Sequence, residues 1–194
     1  MGIVGTILLV HNAHVANNNW AIIAHLIFGV GIITCMLSST VYHYVKTPKV
    51  KAKLRYFDHA SIYVLIAASY SPFTLILLRE EGVWGWLLFI LIWLIALMGI
   101  ILNFRPMKKN SHIKTASYVV MGLTVVIAIN PIVRVAKENN CIESVYWLIT
   151  GGAFYIIGSL IYALAKREFS HAVFHIFVLL GLASHIASAY TIAL

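Results

Sequence analysis

The chain has 194 residues, of which 61% are hydrophobic and only 10% are charged, with a mean hydropathy of +0.91. Soluble domains carry about 25% charged residues, so this composition excludes a soluble globular protein and indicates an integral membrane protein. The net charge of +8 comes from basic residues in separate loops, not from one face or tail, so we expect no nucleic-acid partner.

The first 16 residues are apolar, but as a helix they would reach only about 24 Å, less than the roughly 30 Å hydrocarbon core. We interpret them as a short or truncated first helix, the alternative being an unstructured apolar leader before six spans. They lack a basic segment and a small-residue cleavage site, so we expect no cleaved signal peptide. Asn17, Asn18 and Asn19 predict a turn before the next helix.

Six further apolar runs are long enough to cross a membrane as helices. None alternates apolar and polar residues, which argues against a β-barrel. The sequence therefore predicts an all-α, seven-transmembrane helix bundle that forms one domain over residues 1–194. The runs are Trp20–Tyr44, Tyr56–Leu78, Val83–Phe104, Thr115–Val133, Ser144–Ala165 and Phe169–Leu194. Pro72 and Pro131 lie within two of them and predict local helix irregularity.

Lysine and arginine are unevenly shared between the two sets of loops, with 11 residues in one set and three in the other. Because cytoplasmic loops carry the excess of basic residues, the richer set is predicted to be cytoplasmic. Seven helices then place the N-terminus inside and the C-terminus outside. We expect a multi-pass protein of the plasma (inner) membrane.

Titratable residues are predicted to gather at the cytoplasmic ends of three helices. His43 ends the second helix, Asp58 begins the third, and His171 and His175 occupy the first turns of the last. Residues four apart share one side of a helix, which applies to His171 with His175 and to Ser39 with His43.

Three imidazoles suit Zn²⁺, which in catalytic sites leaves a fourth position for water. Asp58 would orient that water and accept its proton, and the Ser39 hydroxyl would steady the water or polarise a substrate carbonyl. Each residue alone has an ordinary alternative. An interfacial histidine can face headgroups, Asp58 can pair with Arg55 or cap its helix, and Ser39 can bond the carbonyl four residues back. Together they favour a metal site.

The remaining histidines of the spans are assigned structural roles. We expect His25 to be a buried hydrogen-bonding residue and His59, about 100° around its helix from Asp58, to face a neighbouring helix. His185 lies about 21 Å along the helix from His171, too deep to share its metal.

The motifs "SSTVYH" from Ser38, "FDHASIY" from Phe57 with "YSPF" after it, and "SHAVFHIFVLLG" from Ser170 resemble the hemolysin III-type members of the progestin and adipoQ receptor family. The resemblance covers residues 20–194. It implies a seven-helix membrane protein grouped with alkaline ceramidases as metal-dependent hydrolases. It also implies that His43, His171 and His175 bind zinc and that Asp58 holds the metal water.

The sequence thus leads to three functional hypotheses. The first is a zinc-dependent hydrolase that cleaves an amide or ester of a membrane lipid at the cytoplasmic leaflet. The second is a receptor or membrane-homeostasis sensor in which zinc is structural. The third, a hemolysin III-type cytolytic protein, ranks last, because a secreted pore-former needs a soluble state that so apolar a chain does not support.

Overall fold

The computed structural model describes residues 1–104, 112–164 and 170–192, and within these it describes no side chains for residues 112–113, 163 and 170–172. The described residues form helices and no strand. The helices are α1 Gly2–Val15, α2 Asn19–Tyr44, α3 Pro48–Ser69, α4 Trp84–Asn103, α5 His112–Gly122, α6 Ile129–Glu138, α7 Ile142–Leu164 and α8 Ser170–Tyr190.

Six helical segments are long and apolar enough to cross a membrane, as the sequence predicts. They are Asn19–Tyr44, Pro48–Leu77, Trp84–Asn103, Lys114–Glu138, Ile142–Tyr162 and Val173–Tyr190. Their outer faces expose large apolar side chains that only lipid can cover; Leu94 and Met98 of α4, for example, are 58% and 63% exposed. The chain is therefore a multi-pass membrane protein.

The apolar leader folds as the short helix α1, so the alternative of an unstructured leader is wrong. Leu9 and Ala13 of α1 are buried, and α1 packs against both α2 and α8. The predicted asparagine turn follows it. Asn17 adopts a positive φ of 53°, and the Asn18 side chain caps α2 by accepting a hydrogen bond of 3.0 Å from the Ala21 amide.

Helix α3 begins at Pro48, eight residues before the predicted start at Tyr56. Proline favours the first position of a helix, and the lysine, arginine and alanine residues that follow it are strong helix formers. Hydropathy detects only the part of a helix that enters lipid. The basic turns from Pro48 to Arg55 are therefore predicted as a loop from the sequence. Asp58 consequently lies about 15 Å from the start of α3 and not in its first turn.

Both prolines coincide with the predicted irregularity. A π-helical turn, Phe73–Leu77, directly follows Pro72 and continues the span that begins with α3. The 3₁₀-helical segment Leu123–Ala128 precedes Pro131 and joins α5 to α6 within one span. Proline lacks the amide donor that regular helical hydrogen bonding requires, so the backbone changes its pattern at these points.

The helices form a closed ring in chain order, because α1 also packs against α8. Helix α3 is the most deeply buried span and contacts α2, α4 and α5. A cluster that includes Phe28, Ile32, Cys35, Leu65 and Leu182 joins α2, α3 and α8. This packing brings the end of α2 and the start of α8 to the same end of the bundle.

Candidate metal centre

The imidazoles of His43 and His175 meet at one end of the bundle. Their ring centroids are 5.5 Å apart and the ring planes are inclined by 81° to each other. His43 lies in the last turn of α2 and is exposed at the rim, whereas His175 lies in the second turn of α8 and is half-buried. Two of the three predicted metal ligands are therefore neighbours.

The third predicted ligand, His171, has its side chain outside the described residues. Its backbone belongs to α8, one turn before His175, so the two residues lie on the same side of that helix. Among the side chains that the structure describes, no three of the His, Cys, Asp and Glu residues lie close enough together to hold a metal ion.

The spacing of the two described imidazoles fits a shared zinc ion. A tetrahedral zinc bound by imidazole nitrogens at about 2.0–2.1 Å has each ring centroid about 3.2 Å away and two centroids about 5.2 Å apart. The observed separation of 5.5 Å is close to that value. The donor set also fits, because neutral imidazole is a preferred ligand of Zn²⁺.

Two contacts between α2 and α3 fix the depth of Asp58. Cys35 lies beside Ser61, and Gly31 packs against Ala68. In this antiparallel pair Asp58 is therefore level with residues 38–41 of α2, about 3–7 Å deeper than His43 along the axis. The carboxylate is thus level with Ser39, one turn of helix from the imidazoles.

Asp58 is largely shielded, with a side chain that is 16% exposed. Its Oδ2 atom lies 3.6 Å from Nδ1 of His59, and no ion pair joins it to Arg55. The pairing with Arg55 considered above is therefore not formed. His59 is therefore a neighbour of the candidate site, although the sequence predicted only a structural role for it. The position of His59 directly after Asp58 was the sequence feature that could have indicated this.

Ser39 is half-buried and makes no hydrogen bond with any residue that the structure describes. The next residue, Thr40, shows the bond expected of a hydroxyl in a membrane helix, donating to the Met36 carbonyl at 2.7 Å. The Ser39 hydroxyl is thus not bonded to a carbonyl of its own helix, and the residue lies level with Asp58.

His25 and His185 lie away from this site, as predicted. His25 is fully buried, and its Nδ1 atom is 2.9 Å from the Leu9 carbonyl oxygen. The His185 ring packs against Gly151 and meets the Tyr155 ring edge to face at 5.3 Å. Two open apolar grooves of about 430 and 320 Å³ have no site residue in their lining.

These features define an α-helical multi-pass membrane protein with a pair of imidazoles at one end of its bundle. The model of haemolysin-III related proteins matches residues 1–186, and the chain belongs to this family. The chain is 34% identical to "Hemolysin-3" of Bacillus cereus, over 93% of this chain and 80% of that protein. It is 38% identical to "Hemolysin-3 homolog" of Bacillus subtilis, over 85% and 75% of the two chains. It is 31% identical to "Monocyte to macrophage differentiation factor" of Homo sapiens, over 94% and 74%.

Proposed function

We propose that this protein is a zinc-dependent hydrolase of the plasma (inner) membrane that cleaves an amide or ester bond of a lipid from the cytoplasmic leaflet. The observation that carries the proposal is the meeting of His43 and His175 at a separation suited to one tetrahedral ion. His171, one turn before His175 on the same side of α8, is the proposed third ligand.

The position of the site suits a lipid substrate. His43 is exposed at the end of its helix, and the α3 turns beside it carry Lys49, Lys51 and Lys53. Basic residues of this kind mark the boundary between the hydrocarbon and the headgroups. An amide or ester bond of a lipid lies at the same depth, so the scissile carbonyl can approach the imidazoles without leaving the membrane.

Zinc, when bound, supplies a Lewis acid that polarises a carbonyl and makes water nucleophilic near neutral pH. The chain's own residues supply the rest. Asp58, one turn deeper than His43, accepts a proton from the attacking water and returns it to the leaving amine or alcohol. Ser39, level with Asp58, donates its hydroxyl hydrogen to the carbonyl oxygen and holds the substrate in register.

The test is hydrolysis of a lipid panel by detergent-purified protein. The panel contains a ceramide, a fatty-acid ester and a phospholipid, and each is assayed before zinc removal, after chelation and after zinc is restored. We expect release of free fatty acid from at least one amide or ester that is lost on chelation and regained with zinc. Release that persists without zinc, or no release from any lipid, would contradict the proposal.

A structural role for zinc is the second candidate, and one observation favours it. The contact of His43 with His175 joins α2 to α8 at the end of the bundle, beyond the apolar cluster that includes Phe28 and Leu182. An ion held there would tie the two helices together, as expected for a receptor or sensor. Chelation would then lower the melting temperature, and no lipid of the panel would be cleaved at any zinc level.

A further inference from the structure

A second polar arrangement lies on the α3–α4–α5 side of the bundle, away from the paired imidazoles. Arg55 of α3 and Lys114 of α5 lie at the same level of two packed helices, because the ring of Tyr56, the residue after Arg55, is 5.9 Å from the Lys114 Nζ atom. No carboxylate among the described residues forms an ion pair with either of them. Two basic groups at one level of the bundle without a paired carboxylate are favourable sites for an anion.

The ammonium of Lys114 is held in place by a buried side chain. Its Nζ atom donates a hydrogen bond of 2.7 Å to Oδ1 of Asn103, which is only 2% exposed. The Asn103 amide nitrogen in turn donates to the Tyr56 carbonyl oxygen at 2.7 Å. Nζ also lies 5.9 Å from the centre of the Tyr56 ring. This cation is therefore pre-positioned and does not move freely in solvent.

Most of the hydrogen-bonding capacity of the pair remains unused. An ammonium has three donors, and the described residues accept from one donor of Lys114. None of the five guanidinium donors of Arg55 has a described partner. A guanidinium matches two oxygens of a phosphate at once, and an ammonium beside it adds a point charge.

The depth of the pair indicates the source of the phosphate. Arg55 lies one turn before Asp58 on α3, which places it at the same end of the bundle as His43. The exposed residues Lys49 and Lys53 lie in the preceding turns of the same helix. Basic pockets between membrane helices at this depth bind anionic lipid headgroups.

We propose that Arg55 and Lys114, with Asn103 as the positioning residue, form a binding site for a phosphate oxyanion, supplied by the headgroup of an anionic phospholipid. The site is separate from the paired histidines and does not depend on the proposed hydrolysis.

The test compares two double variants that remove the same charge. R55Q/K114Q removes the proposed site, and K49Q/K53Q removes two exposed lysines of α3. Each protein is purified in detergent with equal amounts of phosphatidylglycerol and phosphatidylcholine, and the retained lipids are counted by native mass spectrometry. We expect the wild type to retain phosphatidylglycerol preferentially. R55Q/K114Q should weaken this retention by about tenfold or more, whereas K49Q/K53Q should not.

The single variant R55Q is a control for misfolding, because the Arg55 side chain makes no hydrogen bond with any described residue. It should fold normally and should also lose the preferential retention of phosphatidylglycerol. A separate arm adds millimolar inorganic phosphate in place of lipid. If phosphate raises the melting temperature of the wild type but not of R55Q/K114Q, and no phospholipid is retained, the residues bind a phosphate oxyanion but the proposed lipid source is overturned. Equal losses in both double variants, or no preference for phosphatidylglycerol, would overturn the proposal.

Discussion

The imidazole of His43 at the end of α2 meets that of His175 near the start of α8, with ring centroids 5.5 Å apart. These residues are far apart in the sequence, and they meet because the ring of helices closes through α1 and α8. Neutral imidazole is a preferred ligand of Zn²⁺, which is why this pair supports the proposed metal site. The proposed function therefore depends on this pair.

Asp58→Asn should separate metal binding from turnover. The amide keeps the shape of the carboxylate but cannot accept a proton, so lipid hydrolysis should fall about 10²- to 10⁴-fold while zinc is retained. The measurement is fatty-acid release together with metal analysis of the same sample. Glu143→Gln is the matched control, because Glu143 lies in the first turn of α7, at the other end of the bundle. Full activity of Asp58→Asn would remove Asp58 from the mechanism.

Gly151→Ala should destabilise the contact between α7 and α8. A methyl group at this position would overlap the His185 ring and approach the Gly181 carbonyl oxygen to 3.0 Å. Overpacking of this kind costs about 1–3 kcal/mol, which thermal unfolding in detergent would reveal. Gly152→Ala is the control, since a Cβ there meets nothing within 4 Å. Equal melting temperatures for the two variants would show that His185 can move aside.

His25→Leu should loosen α1. His25 is fully buried and its Nδ1 atom contacts the Leu9 carbonyl oxygen at 2.9 Å, linking α2 to α1. Loss of a hydrogen bond of this kind costs about 0.5–1.5 kcal/mol, so the melting temperature should fall and α1 should become accessible to protease. His14→Leu changes an exposed histidine of α1 and should leave both measurements unaltered. A stable His25→Leu protein with protected α1 would show that apolar packing alone holds α1.

Much of the fold follows from hydropathy, because lipid demands long apolar helices. Hydropathy alone did not predict where α3 begins. Its turns from Pro48 to Arg55 lie outside the apolar run, and hydropathy treats a basic helix and a basic loop alike. Asp58 was therefore predicted in the first turn of α3 but lies in the interior of that helix.

The candidate site was partly accessible from sequence. The spacing of four between His171 and His175 places both on one side of a helix, and the end of α2 supplies His43. The cluster of Arg55, Lys114 and Asn103 was not predictable, because it depends on which sides of α3, α4 and α5 face each other. That choice is made by packing, such as the seating of the Tyr63 ring against Gly99.

The most direct test of the central claim is the zinc content and zinc X-ray absorption spectrum of detergent-purified protein. For the wild type and for His14→Ala the account predicts about one zinc per chain, with imidazole nitrogens at about 2.0–2.1 Å. His43→Ala and His175→Ala should each lose the metal. Zinc retained with unchanged ligation in both of these variants, or absent from metal-replete wild type, would contradict the account.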